Sequence, residues 1–106
     1  MKIVWTDFAI RNLKNIFEYH VEKANRKIAH KIKQKILTSA KQLISNPESG
    51  QLEFYLESLN QNHRYILEGN YKIIYRIVES NIVINDIFDV RQNPIKMIDE
   101  KRIIDS

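Results

Sequence analysis

Four cations and a histidine fall within one stretch of the chain, HRYILEGNYKIIYRIVESNIVINDIFDVRQNP, residues 63–94: His63, Arg64, Lys72, Arg76 and Arg91. Cations carried on strands are held more rigidly than cations on loops, and suit an anion or the charge that develops in a transition state. His63 has the ordinary pKa, ~6.5, that a general base needs, and it is the histidine nearest the cations. Asp86 and Asp89 lie in the same stretch, so one or two of the arginines have a carboxylate to pair with, Arg91 with Asp89 above all. His20, His30 and His63 share no ligand spacing and no cysteine accompanies them, which argues against a metal site. A Gly-rich phosphate loop, a nucleophile elbow and paired carboxylates at useful spacing are missing too, and no cofactor is expected.

The elements that would carry these residues are strands. Tyr71 to Val78 is rich in β-branched and aromatic residues. Its odd positions, Tyr71, Ile73, Tyr75 and Ile77, are all apolar or aromatic and should face a core, while Lys72 and Arg76 alternate with Ile74 and Val78 on the other side. Gly69-Asn70 supplies a hairpin turn before this strand, and Ser80-Asn81 a weaker turn after it. Strands are therefore expected over 63–68, 71–79 and 82–90. The length of the first turn decides the face of Arg64. A two-residue loop pairs it with Tyr75 on the core side, a three-residue loop with Arg76 on the mixed side, and the sequence leaves both open.

Upstream, Ile3-Val4-Trp5 reads as a short strand, and Thr6-Asp7 as a cap with an acid in the first helical turn. Ala9, Leu13, Ile16, Phe17 and His20 recur at helical spacing, and so do Ile28, Ile32, Ile36, Ala40, Leu43 and Ile44. Helices are expected over 7–21 and 24–45, the second stopped by Asn46-Pro47. Leu13, Ile32, Ile36, Ile73, Tyr75 and Ile77 should be buried together. Residues 48–62 are too apolar for a free loop and read as a meandering cover for one side of the sheet, with a short helical turn. Residues 95–106 are amphipathic, either a brief terminal helix or a mobile tail. The order β-α-α-β-β-β gives an α+β fold in one domain, residues 1–106, with a helical hairpin on one face of a small, largely antiparallel sheet.

The chain has 106 residues, two glycines, two prolines, no cysteine and a net charge of +4. That length fits a single domain. The lack of cysteine excludes a disulfide framework and fits a reducing cytoplasm. No signal peptide or membrane span precedes the first acid. The positive charge favours acidic partners without choosing among them. Much of it sits in and just before the second helix: Lys23, Arg26, Lys27, Lys31, Lys33, Lys35 and Lys41 follow one another with no acid between. Such a run is either a solvated face or an electrostatic footprint for an acidic protein or phosphates.

Arg64, the run from Gly69 through Tyr71-Lys72-Ile73-Ile74-Tyr75-Arg76-Ile77, and Ile87-Phe88-Asp89-x-Arg91-x-Asn93-Pro94 together resemble the RelE/ParE superfamily of bacterial toxins. The resemblance extends over most of the chain, and its most specific part is the last two strands. It implies the same architecture, a cognate antitoxin and one of two modes of action. RelE-type toxins are ribosome-dependent endoribonucleases that cut mRNA with basic residues on the sheet and, in many members, a carboxy-terminal Tyr or His. Here Lys72, Arg76 and Arg91 offer the charge, with His63 as the first base to test, yet no tyrosine or histidine follows Tyr75. ParE-type toxins bind DNA gyrase without catalysis. They are the better resemblance in Arg64, Tyr75-Arg76 and Asp89-x-Arg91, and they imply Arg64, Lys72, Arg76, Asp89 and Arg91 as target contacts. Lys27, Lys31 and Lys35 would then border the antitoxin, in a hetero-oligomer. A small basic nucleic-acid-binding domain ranks behind both, since no helix-turn-helix, zinc-ligand or aromatic-strand signature is present.

Overall fold

The computed structural model describes residues 1–98. The chain runs β1 (Lys2–Trp5), α1 (Asp7–Lys23), α2 (Arg26–Lys41), β2 (Gln51–Leu52), β3 (Arg64–Glu68), β4 (Tyr71–Val78) and β5 (Asn81–Asp89). Short 3-10 helices cover Gln42–Ile44, Phe54–Leu59 and Pro94–Ile98. The expected 95–106 tail thus begins in the last of these, and residues 99–106 lie outside the described part. The strands form one mixed sheet in the order β1-β5-β4-β3-β2, in which β1 pairs β5 in parallel and every other pair is antiparallel. The two helices pack on one face of it, the α+β arrangement expected from the sequence.

Local chemistry explains the helix boundaries. Thr6 is extended, and its Oγ1 accepts the Ala9 N–H at 3.1 Å, while Asp7 sits at the positive end of the α1 dipole. Asn25 caps α2 in the same way, its Oδ1 accepting the Ile28 N–H at 2.9 Å. The buried stripe of α2 is Ala29, Ile36 and Ala40. Ile28 is one residue, about 100°, away from Ala29. It is therefore 42% exposed rather than buried as its spacing suggested. Ile44 is exposed as well, because the chain tightens into the 3-10 helix after Lys41 and turns Leu43 inward instead. Ile32 and Ile77 are half-buried at the edge of the core, whereas Leu13, Ile36, Ile73 and Tyr75 are buried.

Each face of the sheet has its own core. Ala9, Leu13, Ile36, Ala40 and Leu43 meet Tyr71, Ile73, Tyr75, Ile82, Ile84 and Ile87 on the helix face. Each fully buried isoleucine there contributes about 1.5–3 kcal/mol. On the outer face Leu56 and Met97 cover Ile74 and Phe88, so residues 54–59 do cap that side as their apolar content predicted. The second hairpin turn is Glu79-Ser80, not Ser80-Asn81: Val78 pairs with Asn81, and Glu79 adopts φ +56. Register explains the shift, because pairing Ile77 with Ile82 puts both on the helix face, and a slip by one residue would turn one of them outward. Farther along, Ile74 pairs with Asp86 and Tyr75 with Ile84, which leaves Asn85 as the extra residue of a bulge. Thr6 Oγ1 donates to the Asn85 carbonyl at 3.3 Å and ties the start of α1 to that bulge.

Tyr75 is fully buried, and its hydroxyl donates to the Pro47 carbonyl at 2.7 Å while accepting the Gly50 N–H at 3.0 Å. A Cβ on Gly50 would lie 2.6 Å from that hydroxyl and 2.8 Å from the Tyr65 carbonyl. Gly50→Ala should therefore cost about 1–3 kcal/mol in urea unfolding. Tyr75→Phe should cost about 1–3 kcal/mol, because it leaves the Gly50 N–H without its acceptor. The double variant should lose less than the sum, since removing the hydroxyl relieves part of the clash.

Candidate functional site

The strand pairing sorts the cations. Glu68 pairs with Tyr71, so the Gly69-Asn70 loop has two residues, with Gly69 at φ +58, and Arg64 pairs with Tyr75. Of the two registers the sequence allowed, this is the one that takes Arg64 to the helix side. There it donates to the Gly50 carbonyl at 2.8 Å and the Glu48 carbonyl at 3.3 Å, and so holds the chain leading into β2.

Carried one residue further, the same register sets His63 beside Arg76 on the outer face. The Glu53 N–H donates to the His63 carbonyl at 2.8 Å, which completes a row Glu53–His63–Arg76 across three segments of chain. Lys72 reaches this row over the ring of Tyr65, its Nζ 4.1 Å from the ring centroid and 2.7 Å from Glu53 Oε1. The other Glu53 oxygen accepts the Tyr55 N–H at 3.2 Å and starts the Phe54–Leu59 helix. Glu53 is therefore a buried carboxylate with its charge met by Lys72. His63 is 2% exposed and backs a cavity of about 350 Å³, and neither ring nitrogen has a hydrogen-bond partner among the described residues. Burial, then the positive charge of Arg76, push its pKa down to about 4, with Glu53 opposing. The imidazole is thus neutral at physiological pH. It meets a base's requirement for a free lone pair and fails the requirement of reach.

Arg91 stands apart from this row. At the end of β5 it grips Asp89 through Nη2–Oδ2 at 2.7 Å and Nε–Oδ1 at 3.0 Å, and its backbone N–H donates to Oδ1 at 2.9 Å. These hydrogen bonds hold the Asp89 carboxyl below its usual range despite partial burial, and raise the guanidinium pKa further. The pair lines a cleft of about 530 Å³ between α1 and the sheet, with Asn12, Asn15, Tyr19, Tyr71 and Gln92. Tyr71, which pairs with Asp89 across the strands, meets His20 Nε2 at 2.8 Å. Burial and then the Asp89 charge push the Tyr71 hydroxyl pKa up. A second cleft of about 210 Å³ joins Arg91 to Lys35 of α2 past Glu68, Gly69 and Asn70.

The strand cations proposed as one set therefore divide three ways. Lys72, Arg76 and His63 share the outer face, Arg64 is bound to backbone carbonyls on the helix side, and Arg91 is at the helix–sheet seam. Lys27, Lys31 and Lys35 lie exposed along α2. The residue that sequence reasoning missed is Glu53. Its signal was an acid set between the apolar Leu52 and Phe54, which only a partner strand could interpret. Tyr19 and Tyr71 were likewise not connected to Asp89 and Arg91, because a helix and two strands bring them together. Among the described residues no cluster of three or more His, Asp or Glu is placed to hold a metal, and no helix is long and apolar enough to cross a membrane.

Two expectations test the outer face. Folded His63 binds its proton near pH 4 and unfolded His63 near pH ~6.5. Its contribution is fully present above the higher value and lost as pH falls toward the lower one. The loss should reach roughly 1–3 kcal/mol once screening by water is allowed for, and His63→Phe should remove that part of the pH dependence of urea unfolding. Lys72→Met should cost about 3–5 kcal/mol by leaving Glu53 buried without its counterion. Adding Glu53→Gln should recover most of that loss in the same measurement.

Comparison with known proteins gives one family and one fold. The family described as ParE toxin of type II toxin-antitoxin system, parDE, matches residues 3–94. No curated protein sequence matches the chain. Among solved structures, the chain is similar to one titled "Chromosomal ParDE TA system from P. aeruginosa", with 24% identity and a TM-score of 0.72 over 85% of this chain and 96% of that one. The family match takes in β1 through β5, including both clefts, the outer-face row and the Arg91–Asp89 pair. The chain belongs to the ParE toxin family of type II toxin-antitoxin systems.

Proposed function

We propose that this toxin arrests growth by binding its target rather than by cutting RNA, that the target is DNA gyrase in the cytoplasm, and that a cognate antitoxin neutralises it. The observation that carries this reading is the dispersal of the strand cations. Cleavage of RNA through its 2′-hydroxyl needs a base, a phosphate clamp and a proton donor within reach of one phosphate. Here Arg91 lies at the seam while Lys72, Arg76 and His63 are on the outer face. Lys72 is already bound to Glu53, and His63 is enclosed. No tyrosine or histidine after Tyr75 replaces them.

Binding needs none of that convergence. Arg91 and Asp89 form a fixed, solvent-facing pair beside a cleft, and serve as the anchor for the target. Arg64 and Lys72 are bound within the fold and act through stability. The antitoxin reading rests on the family and on exposed apolar residues, which at Leu52, Phe54, Tyr55 and Leu67 gather near the β2–β3 edge.

Induced without antitoxin, the protein should stop replication and raise DNA-damage signalling while ribosome-bound transcripts stay uncut. Arg91→Ala should weaken target binding by about 1–3 kcal/mol, measured on purified gyrase, and lower toxicity at equal folded protein. Unchanged toxicity per folded molecule would reduce Arg91–Asp89 to a structural pair. Codon-positioned mRNA cuts that vanish with Lys72→Ala or Arg76→Ala would overturn the binding reading.

A further inference from the structure

We propose that the exposed ridge of α2 is a track for the phosphate backbone of a nucleic-acid duplex. Lys27, Lys31 and Lys35 are all exposed and follow one another every fourth residue, so they stand about 6 Å apart along the helix axis. Like charges at this spacing work against the helix. Arg26 and Lys27 add to the strain by occupying the first turn, where the dipole repels cations and no acid offsets them. Among the described residues none of the three lysines has an ion-pair partner. An external polyanion supplies the compensation that the fold withholds.

Two features select phosphates over an acidic protein. Within α2, Ile28 is the one large apolar residue that is strongly exposed. The ridge thus lacks the dry centre on which protein interfaces form, whereas a phosphate backbone needs only cations. The ridge also continues beyond the helix, since Lys35 and Arg91 line the same 210 Å³ cleft, whose one carboxylate, Glu68, accepts the Ser39 hydroxyl at 2.6 Å. There Asp89 fixes one edge of the guanidinium and leaves Nη1 unengaged among the described residues, the planar donor geometry that suits phosphate. No Phe, Tyr or Trp lies between the three lysines, and the one ring there, His30, is packed edge-on against Phe17 at 4.8 Å. A single strand would therefore find no free stacking platform along them, and a duplex is the form that fits.

The inference does not depend on gyrase, and its test leaves Arg91 untouched. A labelled duplex of about 20 bp, titrated with the purified toxin over roughly 50–200 mM salt, should bind with no sequence preference. Its log–log salt slope should be about −3 to −4, near −0.9 for each of the three lysines and for Arg91. Lys27→Gln, Lys31→Gln and Lys35→Gln together should bring the slope to within about 1 of zero and weaken binding at least ~10-fold at the lowest salt. Gln suits an exposed helix as well as Lys does, and a thermal midpoint no lower than the parent's will confirm that the variant folds, since relief of the like-charge repulsion can only raise it. Removing the same charge from Lys2, Lys14 and Lys96 should change affinity less than ~3-fold, because those lysines are off the track. Equal losses in the two variants would make net charge the whole cause and overturn the track. So would absence of duplex binding at the lowest salt, or tighter binding to the matching single strand or to polyglutamate.

Discussion

The hydroxyl of Tyr75 is the point on which both faces of the sheet depend. Its ring belongs to the helix-side core, yet its oxygen reaches the Pro47 carbonyl and the Gly50 N–H in the chain that leads away from α2. That pair of bonds decides where the chain crosses from the helix layer to the sheet edge. Gly50 is required there because the ring lies where any side chain would begin. Arg64 reinforces the crossing by binding the carbonyls on either side of Ser49. Once the crossing is fixed, β2 can pair with β3, and Glu53 arrives beside His63 within reach of Lys72.

The outer face is then a problem of buried charge. A carboxylate as enclosed as Glu53 would cost several kcal/mol unpaired. Lys72 removes that cost, and the same carboxylate begins the helix that carries Leu56 over Ile74 and Phe88. Cations that looked free in the sequence are thus part of the cover on this face. His63 and the Nε of Arg76 remain without hydrogen bonds among the described residues. A neutral imidazole and one guanidinium N–H are cheaper to leave unpaired than a second full charge would be, which fits the depressed pKa of His63.

Strand alternation in Tyr71–Val78 and helical spacing around Leu13 and Ile36 made most of the fold legible, because burial acts on those periods directly. Legibility failed where one residue's place depends on a distant strand. The turn at Glu79-Ser80 follows from matching Ile77 to Ile82, and it overrides the better turn chemistry of Ser80-Asn81 by forcing Glu79 to positive φ. The face of Arg64 followed from a loop length that Gly69-Asn70 alone does not specify. Glu53 was invisible as a partner of Lys72 because β2 is two residues long and carries no strand period of its own. The Asp89–Arg91 pair was readable, since two residues of separation suffice to make it.

That short separation explains why the seam suits recognition. An ion pair made across the fold, like Lys72–Glu53, fails with the packing around it, and its cation cannot be released to a partner. Asp89–Arg91 forms within one turn at the end of β5, where the backbone N–H of Arg91 already fixes the carboxylate. The guanidinium is therefore oriented before any partner arrives, and less side-chain entropy remains to be lost on contact. Its neighbours, Tyr71 and His20, hold each other and need no partner to stay in place. Two clefts meet at this one oriented cation, one opening toward α1 and the other toward Lys35. A protein target entering by the first and a phosphate backbone following the second would share Arg91, so binding of one would be felt by the other through a single side chain.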